Sequence, residues 1–186
     1  VKTEAVWENG KMTFDQNGYS GKITNDSFTG KKAGGAFDTP FSLKRVHRTS
    51  PTMGKKAPEN AVVLFDGSDL DAWESQGGGD PTWLTKDGYF EVLPKKDNNN
   101  VGGSINTRQS FGDVKVHLEF RLPYEPEHRG QKRANSGFFL PGGYEVQILD
   151  SYGLDGMWNE CGALYKQSPP RVNMCWAPGV WRPFDG

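Results

Sequence analysis

The sequence predicts an all-β fold, a sandwich of antiparallel sheets. Three observations carry that prediction. Of 186 residues, 24 are Gly and 12 are Pro, and aromatics make up 12% while hydrophobic residues as a whole reach only 34%. A chain of this composition packs with aromatic and β-branched side chains between frequent turns, not with long Leu-rich helices. In residues 111–122, FGDVKVHLEFRL, the side chains alternate with period two. Val114, Val116, Leu118 and Phe120 share one face, and Lys115, His117, Glu119 and Arg121 share the other. Finally, no segment carries an amphipathic helical period of useful length, and short strands between Gly/Pro turns suit a sandwich.

Taken in order, residues 1–49 are polar and Gly-rich, with strand-like pieces KMTF and FSLKRV. TSPTMGKKAPEN (49–60) combines two prolines, a glycine and charge, and reads as a linker. This divides the chain into an N-terminal extension and linker, 1–60, and a domain, 61–186. AVVLF (61–65) reads as a buried strand, followed by the turn-rich FDGSDLDAW. LTKDGYFEVL (84–93) is a hairpin around Asp87-Gly88. DNNNVGG (97–103) is a loop with oxygen ligands but without the acidic spacing of a calcium loop. PYEPEHRGQKRANSG (123–137) is a long polar loop, and SGFFLPGGYEVQILDSYG (136–153) gives two strands joined by Pro141-Gly142-Gly143. The remainder is irregular and aromatic.

Several function classes drop out. The net charge of −1 supplies no field to steer the chain to nucleic acid or an anionic membrane. The cluster Lys44, Arg45, Arg48, Lys55 and Lys56 reads as a solvated linker. No apolar run approaches the roughly 18 residues of a membrane span. The chain begins at Val1, which fits a processed export signal or an incomplete chain. GGG at 77–79 and VGGS at 101–104 lack the phosphate cradle of a P-loop, no Gly-x-Ser-x-Gly elbow occurs, and His47, His117 and His128 form no zinc signature. Two cysteines, Cys161 and Cys175, cannot make a four-thiolate metal site. In an oxidising compartment they can pair, closing a loop of about 15 residues for roughly 3 kcal/mol. In a reducing one they are small core residues. Both readings stand at this level.

The chemistry concentrates in YEVQILD, residues 144–150. Tyr144, Val146 and Ile148 fall on one side, and Glu145 and Gln147 on the other. The non-core face of a sandwich strand meets solvent or lines a groove. If this strand neighbours 111–122, then Glu119, Arg121, Glu145 and Gln147 form one polar patch. There an Arg holds a carboxylate ionised, and two close carboxylates push one pKa upward. Asp150 is one residue out of phase. A β-bulge would return it to the groove; alternatively it opens the turn DSYG, where Asp is common. Glu-x-Gln-x-x-Asp resembles the Glu-x-Asp-x-x-Glu strand of laminarinase-type glucan hydrolases. Gln147 cannot act as a general acid, however, and the shorter Asp150 alters the separation that retaining hydrolysis requires.

Four runs in order, VLFDGSDLDAW, FGDVKVHLEFRLP, RANSGFFLPGGYEVQILDSYG and NECGALYKQSPPRVNMCWAPGVW, resemble the 3-keto-disaccharide hydrolase domain family from about residue 61 to the end. The lead-in from GYSGKITNDSFTG to VVLFDG is similar to the N-terminal region of planctomycete members. The resemblance implies a concanavalin A-like jelly roll of two antiparallel sheets, incomplete in this chain, since family members continue with further strands. A missing segment or a second chain would then complete the sheets. It also implies a secreted or periplasmic protein that cleaves 3-keto-glycosides, with no cofactor required. A carboxylate takes the C2 proton, the glycosidic oxygen leaves, and water adds back.

For these roles the faces nominate Glu145 as base, Asp150 or Glu119 as acid, and Arg121 and His117 as partners of the enolate oxygen. Gln147, Asn135, Tyr165 and Gln167 are candidate substrate-binding residues. A divalent metal on Glu145, Asp150 and His117 is a second route to the same stabilisation. Two further readings compete. One is a non-catalytic carbohydrate-binding module using Trp83, Trp158, Tyr165 and Trp176, although each of these also suits core packing. The other is a structural assembly module on the same fold.

Overall fold

Every strand pairing in the computed structural model, which describes residues 5–34, 38–46, 48–93 and 102–186, is antiparallel. The chain divides into two units, Val1–Thr49 and Ser50–Gly186. The first is a five-stranded meander: β1 (Trp7–Glu8), β2 (Lys11–Gln16), β3 (Tyr19–Thr24), β4 (Ser27–Lys32) and β5 (Thr39–Lys44). KMTF lies in β2 and FSLK in β5. The first two turns are Asn9-Gly10 and Asn17-Gly18, with φ of 49° and 73°, and 55° and 76°. Two consecutive left-handed residues make the tight turn whose twist matches a hairpin, and Asn-Gly is its strongest sequence signal.

On one face Phe14, Phe28 and Phe41 pack edge to face, with centroids 5.5 and 4.9 Å apart. Phe14 pairs with Gly21, which pairs with Gly30, which pairs with Phe41. A Cβ on Gly30 would lie 2.8 Å from the Phe41 ring. The ring thus occupies the space the glycine leaves open.

Among the described residues the second unit contains four strand pairs. β6 (Trp73–Ser75) pairs with β9 (Ile105–Thr107), and β7 (Leu84–Lys86) with β8 (Tyr89–Glu91). β10 (His117–Phe120) pairs with β13 (Arg182–Asp185), and β11 (Ser136–Leu140) with β12 (Tyr144–Ile148). Among the described residues the only helical element is a 3-10 turn at Gly130–Lys132, and no helix is long and apolar enough to cross a membrane. The all-β, antiparallel class expected from composition is the one observed, consistent with a jelly-roll sandwich.

The Asp87-Gly88 hairpin forms as expected, with φ of 50° and 78°. AVVLF does not form a strand. Val62 and Val63 are each 55% exposed. An apolar run becomes a strand only where a neighbour takes its backbone hydrogen bonds. Instead Phe65 turns into an aromatic cluster with Phe90, which also meets Trp73 and Trp83. The Trp83 indole donates to the Gly103 carbonyl at 2.8 Å, so Trp83 serves packing. Residues 97–101 of the expected loop lie outside the described residues. Part of 49–60 is hydrogen-bonded to strands: the Thr52 hydroxyl donates to Asp185 (2.7 Å) and the Gly54 amide to Glu119 (2.5 Å).

Leu118 and Phe120 of β10, Phe184 of β13, Phe138 of β11 and Val146 of β12 front one apolar cavity of about 310 Å³. Period-two alternation leaves His117 and Glu119 of β10 and Glu145 of β12 off this space, while Gln147 also borders it.

Candidate functional site on the polar face of β12

β12 is flanked on both sides. β11 pairs along one edge, with Phe139 opposite Glu145 and Gly137 opposite Gln147. Along the other runs segment 162–165: the Tyr165 amide donates to the Glu145 carbonyl (2.9 Å), the Gln147 amide to Ala163 (3.0 Å) and the Gly162 amide to Gln147 (2.9 Å). Val146 faces Leu164 across this edge, so Tyr165 stands opposite Glu145 and Ala163 opposite Gln147. Directly opposed side chains share a face. One row across the sheet is therefore Phe139, Glu145 and Tyr165, and the next is Gly137, Gln147 and Ala163.

The second row explains how the first works. Gly137 has no side chain, and the Glu145 carboxylate lies in the space its Cβ would fill: the Glu145 Cδ would be 2.9 Å away and the Cγ 3.0 Å, with Oε1 closer still. A glycine inside a strand marks such a close approach. Glu145 is half-buried and takes part in none of the ion pairs among the described residues. Tyr165 packs on Trp158 at 5.8 Å, while Phe139 is 61% exposed on the other side. A carboxylate between aromatic rings, one walled and one open, is an arrangement suited to a sugar.

Gln147 is 2% exposed. Its amide nitrogen donates to Gln131 Oε1 (2.9 Å) and to the Asn159 carbonyl (3.3 Å), while its Oε1 is buried without a hydrogen-bond partner. Gln131 in turn donates to the Asn159 carbonyl (2.7 Å), and Asn135 donates to the Gln131 carbonyl (3.0 Å). Asn135, exposed, thus joins the edge of this amide network. Gln167 is exposed in the turn after Tyr165, where its amide donates to Leu164.

Of the expected site residues, Glu145, Gln147, Tyr165 and Asn135 come together. Asp150 lies elsewhere. β12 ends at Ile148, and the Asp150 side chain is fully buried against Arg133, whose Nε donates at 2.7 Å. Its other oxygen accepts the Tyr152 amide at 3.2 Å. A short polar side chain capping the backbone two residues on is the turn chemistry that favours Asp at this position.

β10 pairs with β13, not with β11 or β12, so the four-residue patch that adjacency would have made is not assembled as strand neighbours. His117 instead sits between two carboxylates, with Nδ1 2.7 Å from Asp185 and Nε2 3.3 Å from Glu119. The Asp185 contact, with Glu119 adding to it, raises the His117 pKa against the opposing effect of desolvation. His117 and Thr52 together lower that of Asp185. Arg121 lies over the rings of Tyr89 and Trp181, each centroid 5.1 Å from its guanidinium carbon. The trio nominated for a metal is dispersed, and among the described residues no group of three or more His, Cys, Asp or Glu is placed to hold an ion.

Gln131, Asn159 and Gly137 were not nominated from sequence. Gln131 and Asn159 reach the site from distant loops, which no local spacing encodes. Gly137 carried a signal, a glycine within the strand SGFFL.

The second unit thus presents a carboxylate, a buried amide and aromatic rings on one face of an antiparallel sheet. Residues 60–185 match the 3-keto-alpha-glucoside-1,2-lyase-like domain, and the chain belongs to that family. A crystal structure of a protein from Parabacteroides distasonis, provisionally assigned as a glycosyl hydrolase, is 44% identical with a TM-score of 0.62, over 69% of this chain and 52% of its own. The matched region therefore spans about half of that protein. No curated protein matches the chain.

Proposed function

We propose that this protein works outside the cytoplasm on oxidised sugars, cleaving 3-keto-glycosides by elimination followed by hydration. A ketone at C3 acidifies the hydrogen on C2. The Glu145 carboxylate removes that proton and the electron pair passes into an enolate on the C3 oxygen. Collapse of the enolate expels the C1 oxygen with its aglycone, which takes up a proton. Water then adds across the C1–C2 alkene and restores the 3-keto sugar.

The observation that carries this reading is the position of Glu145. It is a half-buried carboxylate outside every ion pair among the described residues, beside Tyr165 and Phe139. Asp150, by contrast, has both oxygens engaged and no exposure, which disfavours it as the acid. Tyr165, opposite Glu145, is better placed to give the leaving oxygen its proton. Glu119 and His117 hold each other and their surroundings on β10, and Arg121 just past it lies over two rings, so hydrogen bonds to the enolate fall to the amide groups around Gln147.

The test uses a chromogenic 3-keto-glucoside and its unoxidised parent. The keto compound should release aglycone, with a primary isotope effect when C2 carries deuterium, and the parent should be inert. Equal release from both would contradict the role of the ketone. Saturable binding without release would establish a carbohydrate-binding module on the same face, which the exposed Phe139 and Trp158 also suit.

A further inference from the structure

We propose that Cys161 and Cys175 form a dithiol that closes into a disulfide in the folded protein, fastening the Tyr165 edge of the site to the loop that leads into β13. Neither cysteine serves the proposed reaction, and the inference stands apart from it. Both are free thiols. Both converge on one short segment: Cys175 Sγ donates to the Leu149 carbonyl at 3.4 Å, the Ser151 amide donates to Leu149 as well at 3.0 Å, and the Cys161 backbone sits on the Ser151 side chain.

The frame around them is well fixed. Leu149 is 1% exposed and Ser151 is fully buried. The Cys161 amide donates to Ser151 Oγ at 3.2 Å. Arg182, 4% exposed, is anchored on the carbonyls of Trp176 (2.6 Å) and Ala177 (2.9 Å) and places Nη1 3.1 Å from Cys175 Sγ. Two thiols whose residues are held on the same fixed segment, Leu149–Ser151, need only a local approach to reach bonding distance.

The surroundings also prepare the chemistry. The hydrogen bond from Cys161 brings Cys175 down to about 6, with the Arg182 charge acting in the same direction, while the Cys161 thiol is pushed up correspondingly. One of the pair is thus held as a thiolate with its proton donor beside it. Cys161, the more exposed, is the one an external disulfide reaches. Its sulfur attacks the external disulfide and its proton goes to the departing sulfur, giving a mixed disulfide and one external thiol. Cys175, already the thiolate, then displaces the second external sulfur from Cys161, and that sulfur takes a proton from water. One external disulfide is reduced to two thiols, and the two protein thiols are oxidised to one disulfide.

The bond would tie position 161, where the segment flanking β12 begins, to position 175, next to the Arg182 anchor. Oxidation should therefore stabilise that edge of the site without altering Glu145.

The experiment treats the native protein with oxidised glutathione and maps its peptides without reduction. The expected result is a peptide containing Cys161 linked to one containing Cys175, an intact mass lower by two hydrogens, and no retained glutathione. The urea midpoint should rise and return on reduction. Cys161→Ser should show neither the link nor the rise. If both native thiols remain open to alkylation after oxidation, if glutathione persists on Cys161, or if the link forms only in urea, the proposal is wrong. The native peptide map decides this even if the variant fails to fold.

Discussion

β10 and β12 have the same pattern and opposite fates. Each alternates apolar with polar residues, and each turns its apolar side chains to the same cavity. On β10 and just past it the polar groups are already engaged: His117 on Asp185 and Glu119, Glu119 on the Gly54 amide, and Arg121 on two rings. On β12, Glu145 lies over a glycine outside every ion pair among the described residues, and Gln147 retains a buried oxygen without a partner. The difference teaches that alternation locates a polar face but its partners determine its use. A face whose charges are satisfied internally holds strands together, and one with unspent groups can act on a ligand.

The sharpest way to break the comparison is to neutralise one acid on each strand. Glu145→Gln should lower kcat on a 3-keto-glucoside by about a thousandfold, within the range for loss of a general base. Glu119→Gln should change it by less than about threefold, since an exposed pair contributes little. Steady-state kinetics on both variants check this, and equal losses would erase the distinction.

Next is Asp150, close to Glu145 in sequence but outside its face. Asp150→Ala would strand Arg133 without its partner and should cost about 3 kcal/mol in urea unfolding. Per folded molecule, activity should be largely retained. A variant with normal stability and no activity would move Asp150 into the mechanism.

Gly137→Ala sharpens the argument from the other side. The new methyl group enters the space of the Glu145 carboxylate and should lower kcat by about tenfold to a hundredfold, because a base displaced by about an ångström loses its alignment. The strand pair should survive, as a small urea-midpoint change would show.

The smallest effect is on pH. The folded His117 titrates above its ordinary 6.5, so its contribution is full below 6.5 and fades as pH rises through the folded value. The folded Asp185 titrates below 3.8, so its contribution is present above 3.8 and fades as pH falls through the folded value. The β10–β13 clasp is therefore strongest between pH 3.8 and 6.5. Urea midpoints should decline modestly from mildly acidic to alkaline pH, and His117→Phe should remove that part of the decline.

Much of this was legible in the sequence. The strands of 136–148, the Asp87-Gly88 hairpin and the polar face of Glu145 and Gln147 follow from period two and turn chemistry, which are local. The meander of residues 7–44 was legible only in part: KMTF and FSLKRV read as strands, while the turns at Asn9-Gly10 and Asn17-Gly18 were recognised only in the structure. AVVLF misled because apolar character does not supply a neighbouring strand. The placement of β10 beside β13 was not legible either. It depends on residues 182–185, which are more than sixty positions from His117 and carry no alternation long enough to announce a partner. Gln131 and Asn159 were hidden for the same reason, since long-range contacts leave no spacing to read.

The most direct measurement is a crystal structure of Glu145→Gln soaked with a 3-keto-glucoside. The account predicts the sugar on the β12 face, with C2 about 3.5 Å from the residue 145 side chain and a ring packed near Tyr165 or Phe139. A sugar seated instead on His117, Glu119 and Arg121 would contradict it, and β10 would become the working face.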